Sequence, residues 1–174
     1  MPVVGYLALM RPLVCLAAGG AAFAGAVAVK TSFERPFHAL LPALAVFLLM
    51  GAADAFNDYF DRDIDRRNAP HRPIPSGRVT PRGALVLAAV LAVAGNAAAL
   101  AVNARTAAAA AVLSVLYAVY GVWSKKLGFV KNLVIATTGA MSYALPAAAV
   151  GRVNAVAATA FVHCFFMMLS VEVA

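Results

Sequence analysis

Long apolar runs, separated by short polar connections, dominate the pattern along this chain. Each run has about the 17 to 25 residues that an α-helix needs to cross the hydrocarbon core of a bilayer. A transmembrane β-barrel would instead show short segments in which apolar and polar residues alternate. The pattern predicts an all-α, multi-pass bundle of six transmembrane helices: Leu13–Val29, Phe37–Phe56, Ala84–Val102, Thr106–Val122, Leu133–Val150 and Val153–Ala174.

The composition agrees with a membrane protein. Hydrophobic residues make up 64% of the chain and charged residues 12%, against about 25% charged in a soluble domain. So few polar residues cannot cover a water-soluble globule, and so many apolar ones exclude disorder. Alanine and glycine are abundant throughout, which predicts close helix packing within one transmembrane domain over residues 1–174.

The basic residues predict an orientation in the membrane. Ten of the 14 Lys and Arg residues lie in the N-terminal segment and in the second and fourth loops. The positive-inside rule therefore places the N-terminus and these two loops in the cytoplasm. The net charge is +7, and the basic residues lie between apolar runs. An anionic leaflet or an anionic substrate is therefore favoured over nucleic acid as the partner.

Acidic residues cluster at the end of the second run, where five of the seven lie between Asp54 and Asp65. If the helix continues, Asn57, Asp61 and Asp65 follow each other at intervals of four along one face, with Asp58 beside them. Carboxylates so close to a bilayer are costly unless a positive group neutralises them. Mg²⁺ is the candidate, because it binds one or two carboxylates together with substrate phosphates. The alternative is a solvated helix end whose acids pair with nearby arginines.

A basic loop follows the acids. Three prolines and a glycine between Arg66 and Arg78 predict a fixed, non-helical path. Arg72 lies between the turns, and its planar guanidinium suits phosphate oxygens. Carboxylates followed by such a loop would frame a metal–phosphate site; a positive-inside loop without a ligand is the alternative.

The fourth loop is predicted on the same side of the membrane. Lys125 and Lys126 could reach a diphosphate there. Tyr117, Tyr120 and Trp123 precede them and would serve either as anchors at the membrane interface or as an aromatic lining for a cation.

Two blocks resemble the signature of the UbiA-type intramembrane prenyltransferases: NDYFDRDID at residues 57–65 and RPIPSGR at residues 72–78. The stretch from Tyr120 to Asn132 is similar to a second loop of that family, and Arg11-Pro12 before the first span also fits. Within the family, the first block is most similar to the archaeal digeranylgeranylglyceryl phosphate synthases.

The resemblance implies an enzyme with a cytoplasmic active site. It would use Mg²⁺ to transfer a prenyl group, expected to be geranylgeranyl, from an allylic diphosphate to a lipid acceptor, expected to be geranylgeranylglyceryl phosphate in ether-lipid biosynthesis. The implied metal ligands are Asn57, Asp58, Asp61 and Asp65, of which Asn57, Asp61 and Asp65 are also the implied catalytic residues. The implied diphosphate ligands are Arg72, Lys125 and Lys126, and the implied acceptor or prenyl-pocket residues are Arg11, Tyr117 and Tyr120.

Three other functions stay open at this stage. The acceptor could be aromatic, as in quinone, haem or chlorophyll biosynthesis. A cation transporter would use the acids as a path, although the adjacent basic loop opposes it. A non-catalytic membrane partner is the third. The family has a second Asp-rich motif beyond its sixth helix, and this chain ends before it, so we expect an N-terminal portion that is inactive alone.

Overall fold

The computed structural model describes residues 2–29, 37–123, 129–151 and 155–173. These residues form seven α-helices and no strand: α1 (Pro2–Met10), α2 (Pro12–Val29), α3 (Phe37–Asn68), α4 (Pro81–Leu100), α5 (Ala104–Trp123), α6 (Phe129–Val150) and α7 (Ala155–Val173). The predicted all-α bundle is confirmed. The described residues contain one helix more than the six predicted, because α1 precedes the first predicted span.

The extra helix arises from a break at Arg11. This residue has a φ of 48°, in the left-handed region that an α-helix cannot continue through. The amides of Val14 and Cys15 bond to the Arg11 carbonyl, which starts α2, and Pro12 occupies the first helical position, where its missing N–H costs nothing. The first predicted span begins at Leu13, one residue after the observed start of α2, but the sequence did not indicate that the apolar residues before Arg11 form a helix of their own.

Helix α3 is the centre of the bundle. It packs against α1, α2, α4, α5 and α6, whereas α7 packs on α6 and α2 at one side. Half of the main buried cluster is alanine; its members are Ala22, Ala45, Val46, Leu49, Ala99, Ala110, Leu113 and Leu145. At Gly95 of α4, an added Cβ would lie 2.9 Å from Cγ of Leu49. The predicted close packing through small residues is therefore confirmed.

The outside of the bundle suits lipid. Helices α2 to α6 are each long and apolar enough to cross a membrane, and large apolar side chains such as Val93 and Phe166 are exposed. The sixth predicted span corresponds to α7, whose apolar part, Ala155–Ser170, is shorter. The chain is an integral, multi-pass membrane protein.

Candidate active site

The acidic residues lie on the same continuous helix as the second predicted span. Helix α3 runs on past Phe56 to Asn68, so Asp54, Asp58, Asp61 and Asp65 recur at intervals of four, three and four, which places them on one face. We call these four residues the carboxylate face. Asp54, Asp58 and Asp65 are buried, so their charges need compensation from within the protein.

Arg11 supplies part of that compensation from the break between α1 and α2. Its Nη1 donates to Oδ1 of Asp54 at 2.9 Å, and its Nη2 donates to Oδ1 of Asp58 at 2.6 Å. The unusual backbone at Arg11 points one guanidinium at two carboxylates on consecutive turns of α3. Such charge-assisted pairs are about twice as strong as neutral hydrogen bonds.

Arg72 supplies the rest from the loop after α3. Its Nη1 donates to Oδ2 of Asp65 at 2.7 Å and lies 3.6 Å from Oδ1 of Asp58. Burial lowers the pKa of Arg72, but the hydrogen bond that Arg72 donates to Asp65 and the negative charge of Asp58 outweigh the effect of burial, so the pKa is raised overall. Asp58 thus lies between the guanidinium groups of Arg11 and Arg72.

The loop that carries Arg72 is held by its own hydrogen bonds. The Ser76 hydroxyl donates to the Arg72 carbonyl at 2.7 Å, and the Val79 amide donates to the Pro73 carbonyl at 3.0 Å. Ile74 and Val79 are buried in a cluster with residues of α1, α3 and α4. The prediction of a fixed path is therefore confirmed, and it holds Arg72 against the carboxylate face.

Asn57 adjoins the carboxylate face, where its amide Nδ2 donates to Oδ2 of Asp61 at 3.2 Å. The structure thus brings together Asn57, Asp58, Asp61, Asp65 and Arg72, all predicted as site residues. Lys125 and Lys126, the other predicted diphosphate ligands, lie outside the described residues.

An apolar cavity of about 230 Å³ lies between α3, α4 and α5. Phe56 and Tyr117 form part of its wall, together with small side chains such as Ala92 and Ala118. The Tyr117 hydroxyl points to Sδ of Met50 at 3.4 Å. Tyr117 therefore lines an apolar cavity, in keeping with its predicted place in a prenyl pocket.

Two other predicted pocket residues lie elsewhere. Tyr120 is half-buried on α5, about one turn beyond Tyr117, and is not part of this cavity wall. Arg11 lies against Asp54 and Asp58 instead of the cavity.

Asp54 is the residue that sequence reasoning left out of the site. It is buried, its Oδ1 binds Arg11, and its Oδ2 has no hydrogen-bond partner among the described residues. The signal was in the sequence, because Asp54 precedes Asp58 by one helical turn. The sequence does not indicate that Asp54 pairs with Arg11, which lies 43 residues away.

The donor atoms fit a hard divalent cation. Carboxylate and amide oxygens are the ligands that Mg²⁺ takes in proteins, with one or two carboxylates completed by water and phosphate. Over the described ranges, no three His, Cys, Asp or Glu side chains lie close enough to hold a metal by themselves. Two more oxygens lie at this face: Oδ2 of Asp54, which has no hydrogen-bond partner in the described part of the chain, and the amide oxygen of Asn57 beside Asp61. The face therefore suits a metal that a phosphate ligand helps to hold.

A model of the UbiA prenyltransferase family matches residues 16–174. Among curated proteins, the chain is similar to a digeranylgeranylglyceryl phosphate synthase of Methanothrix thermoacetophila, with 38% identity over 129 residues that make up 74% of this chain and 48% of the relative. The corresponding protein of Halobacterium salinarum is 36% identical over 147 residues, which are 84% of this chain and 53% of the relative. The chain thus spans about half the length of the curated relatives it matches.

Solved structures share the fold. A structure from work on digeranylgeranylglyceryl phosphate synthase in membranes matches with a TM-score of 0.89 at 24% identity, over 98% of this chain and 61% of the other. A UbiA homolog from Archaeoglobus fulgidus bound to GPP and Mg²⁺ matches with a TM-score of 0.81 at 19% identity, over 97% of this chain and 61% of the other.

Proposed function

Because this chain belongs to the UbiA prenyltransferase family, we propose that its carboxylate face and the loop carrying Arg72 form the donor side of a Mg²⁺-dependent prenyl transfer site. The donor is an allylic diphosphate, geranylgeranyl diphosphate by analogy with the curated relatives. The observation that carries this proposal is the placement of Asp58 between the guanidinium groups of Arg11 and Arg72. A face with carboxylates and fixed arginines side by side suits a metal and a diphosphate together.

The residues divide the work as follows. Asn57, Asp61 and Asp65 would hold Mg²⁺, with Asp58 beside them. The metal, when bound, neutralises the charge of the departing diphosphate. Arg72, oriented by its hydrogen bond to Asp65, offers its remaining N–H groups to phosphate oxygens. Lys125 and Lys126 are proposed as further diphosphate ligands, as the family signature implies.

The bond between the allylic carbon and the diphosphate oxygen breaks, and its electron pair stays on the diphosphate. Positive groups of the site stabilise this developing negative charge in the transition state. The allylic carbon then forms a bond to the acceptor hydroxyl, which loses its proton. The cavity lined by Phe56 and Tyr117 would hold the prenyl chain, exclude water and place aromatic faces near the developing cation.

The acceptor and the orientation belong to the same proposal. The curated relatives are named for digeranylgeranylglyceryl phosphate, which supports geranylgeranylglyceryl phosphate over an aromatic acceptor. The distribution of Lys and Arg supports a cytoplasmic N-terminus and a site that opens to the cytoplasm. A cation path is disfavoured, because Arg11 and Arg72 already bind the buried acids.

The test uses radiolabelled geranylgeranyl diphosphate and the purified chain in detergent, with Mg²⁺ or with a chelator. Each sample is assayed for bound donor and for transfer to geranylgeranylglyceryl phosphate or to an aromatic quinone precursor. Mg²⁺-dependent binding supports the donor site, and the acceptor that becomes labelled decides between lipid and aromatic substrates. Binding without transfer still supports the donor site, whereas absence of Mg²⁺-dependent binding contradicts the proposal.

A further inference from the structure

A second pocket, of about 470 Å³, opens where the end of α3 approaches the beginning of α4. It is lined by Tyr59, Arg62, Thr80, Pro81, Arg82 and Leu85. None of these six residues lines the apolar cavity, and none makes an ion pair with the carboxylate face. The proposed donor site therefore does not include this pocket.

Two positive charges face the pocket, and one of them is fixed in place. The guanidinium of Arg62 lies 4.4 Å from the centroid of the Tyr59 ring, and its Nη1 donates to the Tyr59 carbonyl at 2.8 Å. The nearest acid to Arg62 is the exposed Asp63, at 3.9 Å. Within the described part of the chain, the Arg82 side chain makes neither a hydrogen bond nor an ion pair. Apart from the long contact between Arg62 and the exposed Asp63, no carboxylate of the described residues pairs with these two guanidinium groups. The pocket therefore favours an anionic ligand.

The position of the pocket identifies the kind of anion. Pro81 begins α4, one of the helices apolar enough to span the membrane, so the pocket lies at the membrane interface. Beyond Arg82, Val86, Val90 and Val93 follow at intervals of four, four and three, which places them on one face of α4. All three are exposed, at 63%, 58% and 70%. A cationic pocket thus continues directly into an apolar ridge.

We propose that this pocket binds the phosphate headgroup of an anionic membrane phospholipid, whose acyl chain lies along the ridge of Val86, Val90 and Val93. The arginine fork matches phosphate oxygens, and basic pockets between membrane helices are known to hold anionic headgroups. The ridge gives a phospholipid an advantage over free phosphate, since only the lipid buries apolar surface there. This inference depends on the membrane fold and is independent of the proposed transfer reaction.

The test measures retention of phosphatidylglycerol and phosphatidylcholine on the full chain by native mass spectrometry, with size-exclusion profiles to confirm folding. The first variant is the double substitution Arg62→Gln/Arg82→Gln. Its matched control is Arg66→Gln/Arg67→Gln, which removes the same charge from the exposed end of α3 outside the pocket. A third variant, Leu85→Trp, fills the pocket while keeping every charge, so it carries the test if the first variant does not fold.

We expect the unmodified chain and the Arg66/Arg67 control to retain phosphatidylglycerol over phosphatidylcholine. The Arg62/Arg82 variant should bind phosphatidylglycerol at least about tenfold more weakly, in line with the loss of charge-assisted hydrogen bonds. Leu85→Trp should weaken binding by a similar factor, because its ring occupies the space of the headgroup. Equal losses in the pocket variants and in the control would overturn the proposal, since they indicate attraction to any basic surface. Displacement of the lipid by millimolar inorganic phosphate would overturn the lipid assignment, because it indicates a site for the free ion.

Discussion

Arg11 and Asp58 are 47 residues apart in the sequence, and Nη2 of Arg11 donates a 2.6 Å hydrogen bond to Oδ1 of Asp58. The same guanidinium binds Asp54 one helical turn earlier. This contact joins the break between α1 and α2 to the centre of α3. The contact therefore links α1, which the sequence did not predict, to the acidic stretch of α3, which it did predict as part of the site.

Replacement of Arg11 should destabilise the bundle. Arg11→Ala leaves two buried carboxylates, Asp54 and Asp58, without this partner, which we expect to cost about 1–3 kcal/mol because Arg11 is itself partly exposed. The measurement is the apparent Tm in detergent. Arg66→Ala is the matched control, since the one acid that Arg66 pairs with among the described residues is the exposed Asp63, and such surface pairs contribute about 0–1 kcal/mol. Equal Tm losses for the two variants would contradict the role assigned to Arg11.

A methyl group at Gly95 should disturb the contact between α3 and α4. In Gly95→Ala the new Cβ would lie 2.9 Å from Cγ of Leu49 and 3.2 Å from the Ala45 carbonyl oxygen, so the helices must separate. We expect a loss of about 1–3 kcal/mol, seen as a lower Tm. Gly20→Ala is the control, because a Cβ there meets nothing within 4 Å. A Tm for Gly95→Ala at or above that of Gly20→Ala would show that this contact is not close in the membrane.

Filling the apolar cavity should discriminate between donors by chain length. Ala92 lines the cavity, and Ala92→Phe would occupy space that a long prenyl chain needs. We expect geranylgeranyl diphosphate to bind at least about tenfold more weakly, about 1.4 kcal/mol, while dimethylallyl diphosphate is much less affected. Ala94→Phe adds the same ring on the exposed side of α4 and should change neither affinity. Loss of both donors in Ala92→Phe would place the prenyl chain elsewhere.

Arg72 should act through its geometry as well as its charge. Arg72→Lys keeps the charge but loses the planar guanidinium, whose Nη1 donates to Asp65 while its other N–H groups stay available for phosphate. We expect weaker donor binding, by several-fold to about tenfold, measured by titration of labelled donor. Arg78→Lys is the control in the same loop, since Arg78 hydrogen-bonds to Ser76 and faces solvent. Unchanged affinity of Arg72→Lys for the donor would contradict this prediction, because it would show that only the positive charge at this position matters.

Local sequence patterns predicted much of this site, whereas the parts that depend on contacts between distant residues could not be predicted. The spacing of Asn57, Asp61 and Asp65 predicted a shared face on condition that the helix continues past the end of the predicted span, which α3 does. The prolines around Arg72 correctly predicted a rigid loop. No local pattern could pair Arg11 with Asp54, because their contact depends on a left-handed backbone at Arg11 and on how α2 packs against α3. The short helix α1 was missed for a related reason. Its stability comes from burial of residues such as Leu9 against other elements, not from its own sequence pattern.

The most direct test of the central claim compares two aspartates two positions apart on α3. Asp61 is on the carboxylate face, whereas Asp63 is 65% exposed and pairs with Arg66. Binding of labelled geranylgeranyl diphosphate to Asp61→Asn and Asp63→Asn is measured with Mg²⁺ and with chelator. We predict that Asp61→Asn loses the Mg²⁺-dependent part of binding and that Asp63→Asn keeps it. Mg²⁺-dependent binding that survives in Asp61→Asn, or is lost equally in both variants, would contradict the claim that this face holds the metal and the diphosphate.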